Sequence, residues 1–379
     1  MRIIYPRILW TIFLVHIVSN IPVAVSSAFT DSTTQDSSSS TSNSSSLPST
    51  TTASNNCTQR ILISQRYPLE KHKAPPETMP TDLVWAYTRC NTIPIGKYYV
   101  DDTLNGQGIH TKFSNKEINR YLTSAKTSLD QVKNKFIRKS LGKKGWIPLA
   151  FHLYADYIID KHAIVFGSMS PLIETLLLAI GVKNITTVEY NQLTYSHPQI
   201  RTITPDQLQE EFRIKDNNTA TTIQHYDIAV SISSFDHDGL GRYGDPLSPD
   251  GDLLSNDEIK NVYLKPGGIY FLTIPIGPDI VVWNLHRRYG NIRLPLLLDG
   301  WDIIDRVGWN DQDNLLTKEV PFTISTEPVF VLQSPGGEQR IVKNEEKDIP
   351  SSSPPTTTAN SKNNVPPKPT EASTTKEEF

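Results

Sequence analysis

Residues 161–190 constrain the fold of this chain more than any other stretch. An apolar run, 163–166, enters Gly167. Ser170 stands where a helix cap is needed, and Pro171 suits a first helical turn. Gly181 can end that helix by turning left-handed. A second apolar run, 185–188, ends on Glu189, 22 residues after Gly167. Strand, tight turn, helix, strand and acidic tip make the first half of a nucleotide-binding α/β unit. In such a unit the acid receives ribose hydroxyls.

The 379 residues divide by composition. Arg2 and Arg7 precede an apolar run from Ile8 to Val25, and Ala24, Ser26 and Ala28 are the small residues of a cleavage site. Residues 1–26 thus read as a secretory signal, and an uncleaved signal anchor is the other reading. Residues 27–56 are mostly Ser and Thr and read as a disordered stem that has nothing to bury. Residues 57–160 form an N-terminal extension, 161–335 the α/β domain, and 336–379 a disordered Pro/Ser/Thr-rich tail. The compartment expected is outside the cell or the secretory lumen, with membrane attachment only through an uncleaved anchor. Cys57 and Cys90 are the only cysteines, and one disulfide is their simplest use there. Asn43, Asn56, Asn184 and Asn217 begin N-glycosylation triplets. The net charge of −3, without a polybasic tail, gives no footprint for nucleic acid.

The extension carries one clear helix. Ser114 and Glu117 form a capping box, and Ile118, Tyr121, Leu122, Ala125, Leu129, Val132 and Phe136 fall on one stripe. The surrounding segment 112–144 is locally basic. It reads as an amphipathic helix packed on the domain, or as a face for a glycan or phosphate.

Further strands are expected at 200–203, 226–234, 269–274, 301–307 and 328–333. Helices are expected at 205–212, capped by Thr204, and at 256–263. Alternation of this kind predicts a doubly wound, mostly parallel sheet.

Four features together resemble the class I S-adenosylmethionine-dependent methyltransferases. They are Gly167 after the first strand, Glu189 after the second, the Asp-rich end of the fourth, and Leu264-Lys-Pro-Gly-Gly268 before the fifth. Tyr226-Asp227 matches the pair that opens the fourth strand in that family. The segment also resembles an uncharacterised family of secreted nematode proteins, catalogued as a domain of unknown function and grouped near methyltransferases. Its hallmark here is Ser233-Ser-Phe-Asp-His-Asp-Gly-Leu-Gly-Arg-Tyr-Gly-Asp-Pro-Leu-Ser-Pro-Asp-Gly-Asp252. The resemblance implies a Rossmann-like fold with an N-terminal helical extension and an S-adenosylmethionine crevice. Gly167, Ser168, Glu189 and Ser233 would then be the cofactor residues. The glycine-rich loop of the family is reduced to Gly167, with Ser168, Met169, Ser170 and Pro171 in the remaining places.

Methyl transfer needs an oriented acceptor and, for a hydroxyl, a base. His237 is the candidate base, because its ordinary pKa lies near neutrality. Asp236 or Asp238 is the candidate for orienting it. Asp236, Asp238, Asp245, Asp250 and Asp252 are also dense enough for a divalent ion. Their spacing is not that of an EF-hand, and their Asp-Gly and Pro-Asp-Gly groupings are those of turns, so no metal ligands are assigned. Arg287 or Arg288 could take an anionic group, or lie on a solvated helix face. The expected activity is O-methylation of a glycan or small-molecule acceptor. The alternatives are a secreted pseudoenzyme that binds a partner, glycan or metal, and a nicotinamide- or nucleotide-sugar-binding protein.

Overall fold

The computed structural model describes residues 74–103, 110–217, 225–322, 325–337 and 341, all within the compact unit Met1–Asn344. The signal, the stem, Cys57, Asn43, Asn56 and nearly all of the tail lie outside the described residues, as does the side chain of Asn217. Cys90 is disulfide-bonded.

The extension supplies α1 (Val84–Tyr87), β1 (Ile95–Lys97), β2 (Thr111–Phe113), α2 (Asn115–Lys133), α3 (Lys135–Leu141) and α4 (Trp146–Leu153). The α/β segment then runs β3 (His162–Phe166), α5 (Leu172–Ile180), β4 (Asn184–Val188), β5 (Leu193–Tyr195), β6 (Ile200–Ile203), α6 (Pro205–Asn217) and β7 (Tyr226–Ile232). It continues with α7 (Gly251–Glu258), β8 (Leu264–Thr273), β9 (Ile280–Trp283), β10 (His286–Arg288), α8 (Arg293–Leu297), β11 (Asp302–Val307) and β12 (Val329–Gln333).

Seven strands form the central sheet in the order β11-β12-β8-β7-β3-β4-β6. The pairs β6–β4, β4–β3, β3–β7 and β7–β8 are parallel, while β12 runs antiparallel to both of its neighbours. The order reverses between β3 and β7, the crossover point at which such sheets bind ligands. This is the Rossmann-like, mostly parallel α/β fold of the class I methyltransferases, with a helical N-terminal extension.

Strand alternation divides the core. Ala163, Val165, Ile228 and Val230 pack with α2, α4 and α5 on one face. Ile164, Phe166, Ala229 and Leu272 pack with α6, α7 and α8 on the other. Strands covered on both faces must be apolar throughout, which is why β3 and β7 read as continuous runs.

Local signals set most boundaries. Gly181 ends α5 at φ 109°, ψ 30°. Thr204 and Gln207 form a reciprocal cap at α6: the Gln207 amide donates to Thr204 Oγ1, and Gln207 Oε1 accepts from the Thr204 amide. Ser114 and Glu117 close their capping box on α2. Ser170 does not cap α5; Pro171 takes that position without a side-chain cap bond.

Two expectations shift. The helix expected at 256–263 begins at Gly251 and passes into a wider π turn at Ile259–Tyr263. Its charged first turn looks like a loop in sequence because the arginines that neutralise it lie elsewhere in the chain. Phe136 does not join the α2 stripe. Asn134, at φ −86° and ψ 111°, breaks α2 and caps α3 by accepting from the Phe136 and Ile137 amides. The break rotates Phe136 away from the core.

The extension is built into the domain. β1 pairs with β9, and Met79, Leu83, Tyr87 and Ile93 form a cluster with Leu240, Leu247, Val281 and Trp283. Tyr87 donates to the Gly239 carbonyl at 2.6 Å. Asn284 bonds both backbone groups of Val100, accepting at 2.9 Å and donating at 2.8 Å. The partners of β1 and β9, such as Ile95 and Val281, are far apart in the chain, so β1 carries no local signal.

Candidate functional site

The site begins with the turn after β3. Gly167 has φ +68°, a region that disfavours side chains. A Cβ there would stand 1.9 Å from Ser234 Oγ. Glycine therefore lets the end of β7 close against the end of β3. Ser168, Met169 and Ser170 have no positive φ. The turn loses the family's other glycines without backbone strain.

Above this turn lies an open crevice. Phe166, Gly167 and Met169 form one edge, and Val188, Glu189, Tyr190 and Asn191 the next. Ser233, Ser234 and Phe235 come from the end of β7, and Pro205, Leu208 and Gln209 from α6. His237, Asp238, Tyr243, Asp245, Ser255, Glu258 and Tyr263 complete the wall. The crevice thus covers the carboxyl ends of β3, β4 and β7. Its lining contains four carboxylates and no lysine or arginine.

Glu189 is nearly buried. Its Oε1 accepts from the Asn191 amide at 3.1 Å and from Asn191 Nδ2 at 3.0 Å. Burial raises its pKa, and the Asn191 bonds oppose the rise. Ser168 does not line the crevice. Its hydroxyl donates to Glu174 at 3.0 Å, while Thr187 donates to the other Glu174 oxygen at 2.8 Å. Burial pushes Glu174 up to about 7 despite those bonds. Sequence offers no signal for Glu174 beyond a charged residue on an otherwise apolar helix.

His237 lines the crevice and is 17% exposed. Its Nδ1 lies 2.5 Å from the Leu285 carbonyl, so Nδ1 carries the proton and Nε2 is the acceptor. Burial, aided by the Arg242 charge, lowers its pKa to about 4 and keeps the ring neutral. Neither candidate carboxylate orients it. Asp236 Oδ2 is 3.5 Å from Nε2, and Asp236 is buried off the crevice lining. Asp238 lines the crevice but is bonded to Ser255 Oγ at 2.6 Å. Burial raises Asp236 to about 7 and Asp238 to about 8. The Leu285 carbonyl, 48 residues away, is the group that sets the imidazole.

The rest of the Asp-rich loop holds structure together. Asp245 accepts from the Gly239, Gly241 and Tyr243 amides at 2.8, 3.0 and 3.2 Å. Asp250 pairs with Arg89 at 2.8 Å and Arg293 at 3.3 Å. Asp252 accepts from Arg293 Nε at 2.8 Å, from Arg293 Nη2, and from Tyr289 Oη at 2.8 Å. The arginines hold Asp252 down at about 2 against its burial. Arg287 donates to the Asp238, Ser248 and Pro249 carbonyls. Arg288 donates to the carbonyls of Pro278, Val320 and Pro321. Both are buried on β10, so neither lies on a solvated helix face or in the crevice. Among the described residues no group of three or more His, Cys, Asp and Glu is arranged to hold a metal ion.

The remaining motif residues work at the other end of the sheet. Asp227 accepts from the His162 amide at 3.0 Å and from Lys265 Nζ at 2.6 Å, tying β7 to β3 and β8. Asn184 is exposed at the start of β4, away from the crevice.

Residues 160–321 match the family described as "Caenorhabditis protein of unknown function, DUF268". The matched residues fall within the α/β segment. Its Asp-rich hallmark is the loop whose ion pairs are described above. No curated protein sequence matches the chain. Among solved structures, one similar chain is the Burkholderia thailandensis 1,6-didemethyltoxoflavin-N1-methyltransferase, with 14% identity and a TM-score of 0.31, over 48% of this chain and 75% of that one. Another is an S-adenosylmethionine-dependent methyltransferase from Clostridium acetobutylicum, with 14% identity and a TM-score of 0.30, over 53% and 96%. A third, from Mesorhizobium loti, has 10% identity and a TM-score of 0.30, over 51% and 100%. The fold rests on the strand order rather than on these alignments. Among the described residues no helix is long and apolar enough to cross a membrane.

Proposed function

We propose that the crevice takes S-adenosylmethionine and that the protein transfers its methyl group to oxygen on a glycan or small acceptor. The observation that carries this reading is the make-up of the lining: four carboxyl groups, of which Asp238 is protonated near neutrality, with no lysine and no arginine, at the switch point of the sheet. A sulfonium and an ammonium suit such a wall, whereas the phosphates of a dinucleotide or nucleotide sugar want cations.

The residues present fit the cofactor in chemistry. Glu189 stands where ribose hydroxyls would donate. The turn at Gly167 and the start of α5 offer backbone amides to a carboxylate. Ser168 would contribute through its backbone, since its side chain belongs to Glu174. Ser233, which follows the end of β7 and lines the crevice, would be a further cofactor residue. When bound, the cofactor supplies an electrophilic methyl. His237 would accept a hydrogen bond from an acceptor hydroxyl through Nε2 and so align the oxygen. With a pKa near 4 it positions better than it deprotonates. Asp238, protonated near neutrality, would donate to the acceptor rather than repel it.

The test is calorimetric titration of S-adenosylmethionine and S-adenosylhomocysteine into the purified protein. Binding should be saturable, and Glu189→Ala should weaken it about 10- to 100-fold, the cost of a buried ribose bond pair to a charged group. Unchanged affinity in Glu189→Ala would sink the assignment. A pseudoenzyme is the second reading, and one observation favours it: Asn191 already bonds one of the two Glu189 oxygens twice. Folded protein that binds neither compound at millimolar concentration would establish that reading instead.

A further inference from the structure

α3 is a helix without a buried residue. Phe136 is 89% exposed and Ile137 42% exposed. A large aromatic residue is rarely left this bare on a soluble surface, and here it is displayed by a capped helix rather than a loose loop. Lys133, Lys135, Arg138, Lys139, Lys143 and Lys144 surround it, and residues 133–144 contain no acid. Lys139 and Lys144 are exposed. This cluster stands out in a chain of net charge −3.

The turn after α3 is linked to the crevice lining by a chain of contacts. Lys143 Nζ donates to the Ser325 carbonyl at 3.0 Å. Ser325 Oγ lies 3.3 Å from Glu327 Oε1, and Glu327 is hydrogen-bonded to Ser233, which lines the crevice.

We infer that α3 docks this protein on an anionic lipid surface, a peripheral membrane contact beyond the N-terminal anchor that the sequence suggests, with Phe136 and Ile137 entering the interface and the lysines meeting the headgroups. Basic residues attract anionic headgroups, and an aromatic flanked by them inserts at the acyl boundary. Charge alone would equally suit a sulfated glycan; the apolar pair at the centre of the basic ring favours lipid. Docking holds whether or not the crevice takes a sulfonium.

The experiment is flotation of the full chain with phosphatidylcholine vesicles, with and without about one-third phosphatidylserine. The N-terminal apolar run contributes equally to all variants, so the readout is the ratio of anionic to neutral partition. Lys139→Ala and Lys144→Ala should each lower that ratio about fivefold. Phe136→Ala should lower anionic partition about tenfold. All three positions are exposed, so thermal midpoints should match the parent and a fold defect would be visible. An anionic preference unchanged in the triple variant overturns the inference. So does heparin binding that needs the lysines while Phe136→Ala leaves vesicle partition intact, which would make this a polyanionic glycan surface.

Discussion

Asp252→Asn tests what the Asp-rich loop is for. Asp252 is fully buried and shares Arg293 with Asp250. It also accepts from Tyr289 Oη and lies 3.6 Å from Arg287 Nε. Removing its charge leaves three buried guanidinium groups, those of Arg89, Arg287 and Arg293, with Asp250 as the one remaining carboxylate of the cluster. Breaking a buried pair on one side costs about 3–5 kcal/mol. Asp250 still holds Arg293 at 3.3 Å, which places the expected loss at the lower end, about 3 kcal/mol. With a urea m-value of about 3 kcal/mol/M for a domain of this size, the midpoint should fall by about 1 M. Arg293→Met alone should cost a similar amount. The pair Asp252→Asn with Arg293→Met should lose less than the sum, because neither charge is then stranded. The assay is urea unfolding followed by circular dichroism, repeated with millimolar Ca²⁺ or Mg²⁺. A loss below about 1 kcal/mol would refute the structural role. So would a divalent ion that stabilises the parent but not Asp252→Asn, since ligand binding raises stability only where the site survives.

Other consequences are equally direct. Gly167→Ala should destabilise by about 2–4 kcal/mol from a clash with Ser234 Oγ plus strain at φ +68°; adding Ser234→Gly should restore all but about 1 kcal/mol, the strain alone, in the same urea assay. Burial raises Asp238 to about 8, so its favourable contribution is complete below the ordinary carboxylate range and lost as pH rises toward 8. Asp238→Asn should therefore flatten the fall in thermal midpoint between about pH 5 and pH 8, and an identical slope would refute it. The depressed carboxyl of Asp252 has the opposite sign: its contribution is present above about pH 4 and disappears as pH falls toward 2, so Asp252→Asn should lose its deficit only in strong acid.

Much of the architecture was legible before any contact was known. Apolar runs of strand length, Gly167, Gly181, Thr204 and the Ser114 capping box act within a few residues, so β3, α5, β4, β6, α6 and β7 could be placed in order. Glu189 at the tip of β4 follows from the same local pattern. β1 was not legible, because it pairs with β9 from the far end of the domain, and β9 and β10, though neighbours in the chain, are runs too short to show a period of their own.

Tertiary structure decided the chemistry of the Asp-rich loop. In sequence Asp236 and Asp238 are equivalent candidates for orienting His237, and all five aspartates read equally as metal ligands or turn residues. The fold separates them by partner. Asp250 meets Arg89 from 161 residues away, Asp252 meets Arg293 from 41, and Asp245 turns back on its own backbone. His237 remains at the crevice, but its tautomer comes from the Leu285 carbonyl rather than an adjacent acid. Local sequence specifies dihedral preference and periodicity, which place backbone. Ionisation and hydrogen-bond direction depend on what long-range packing brings within a few ångströms, and that emerges only when the chain closes on itself.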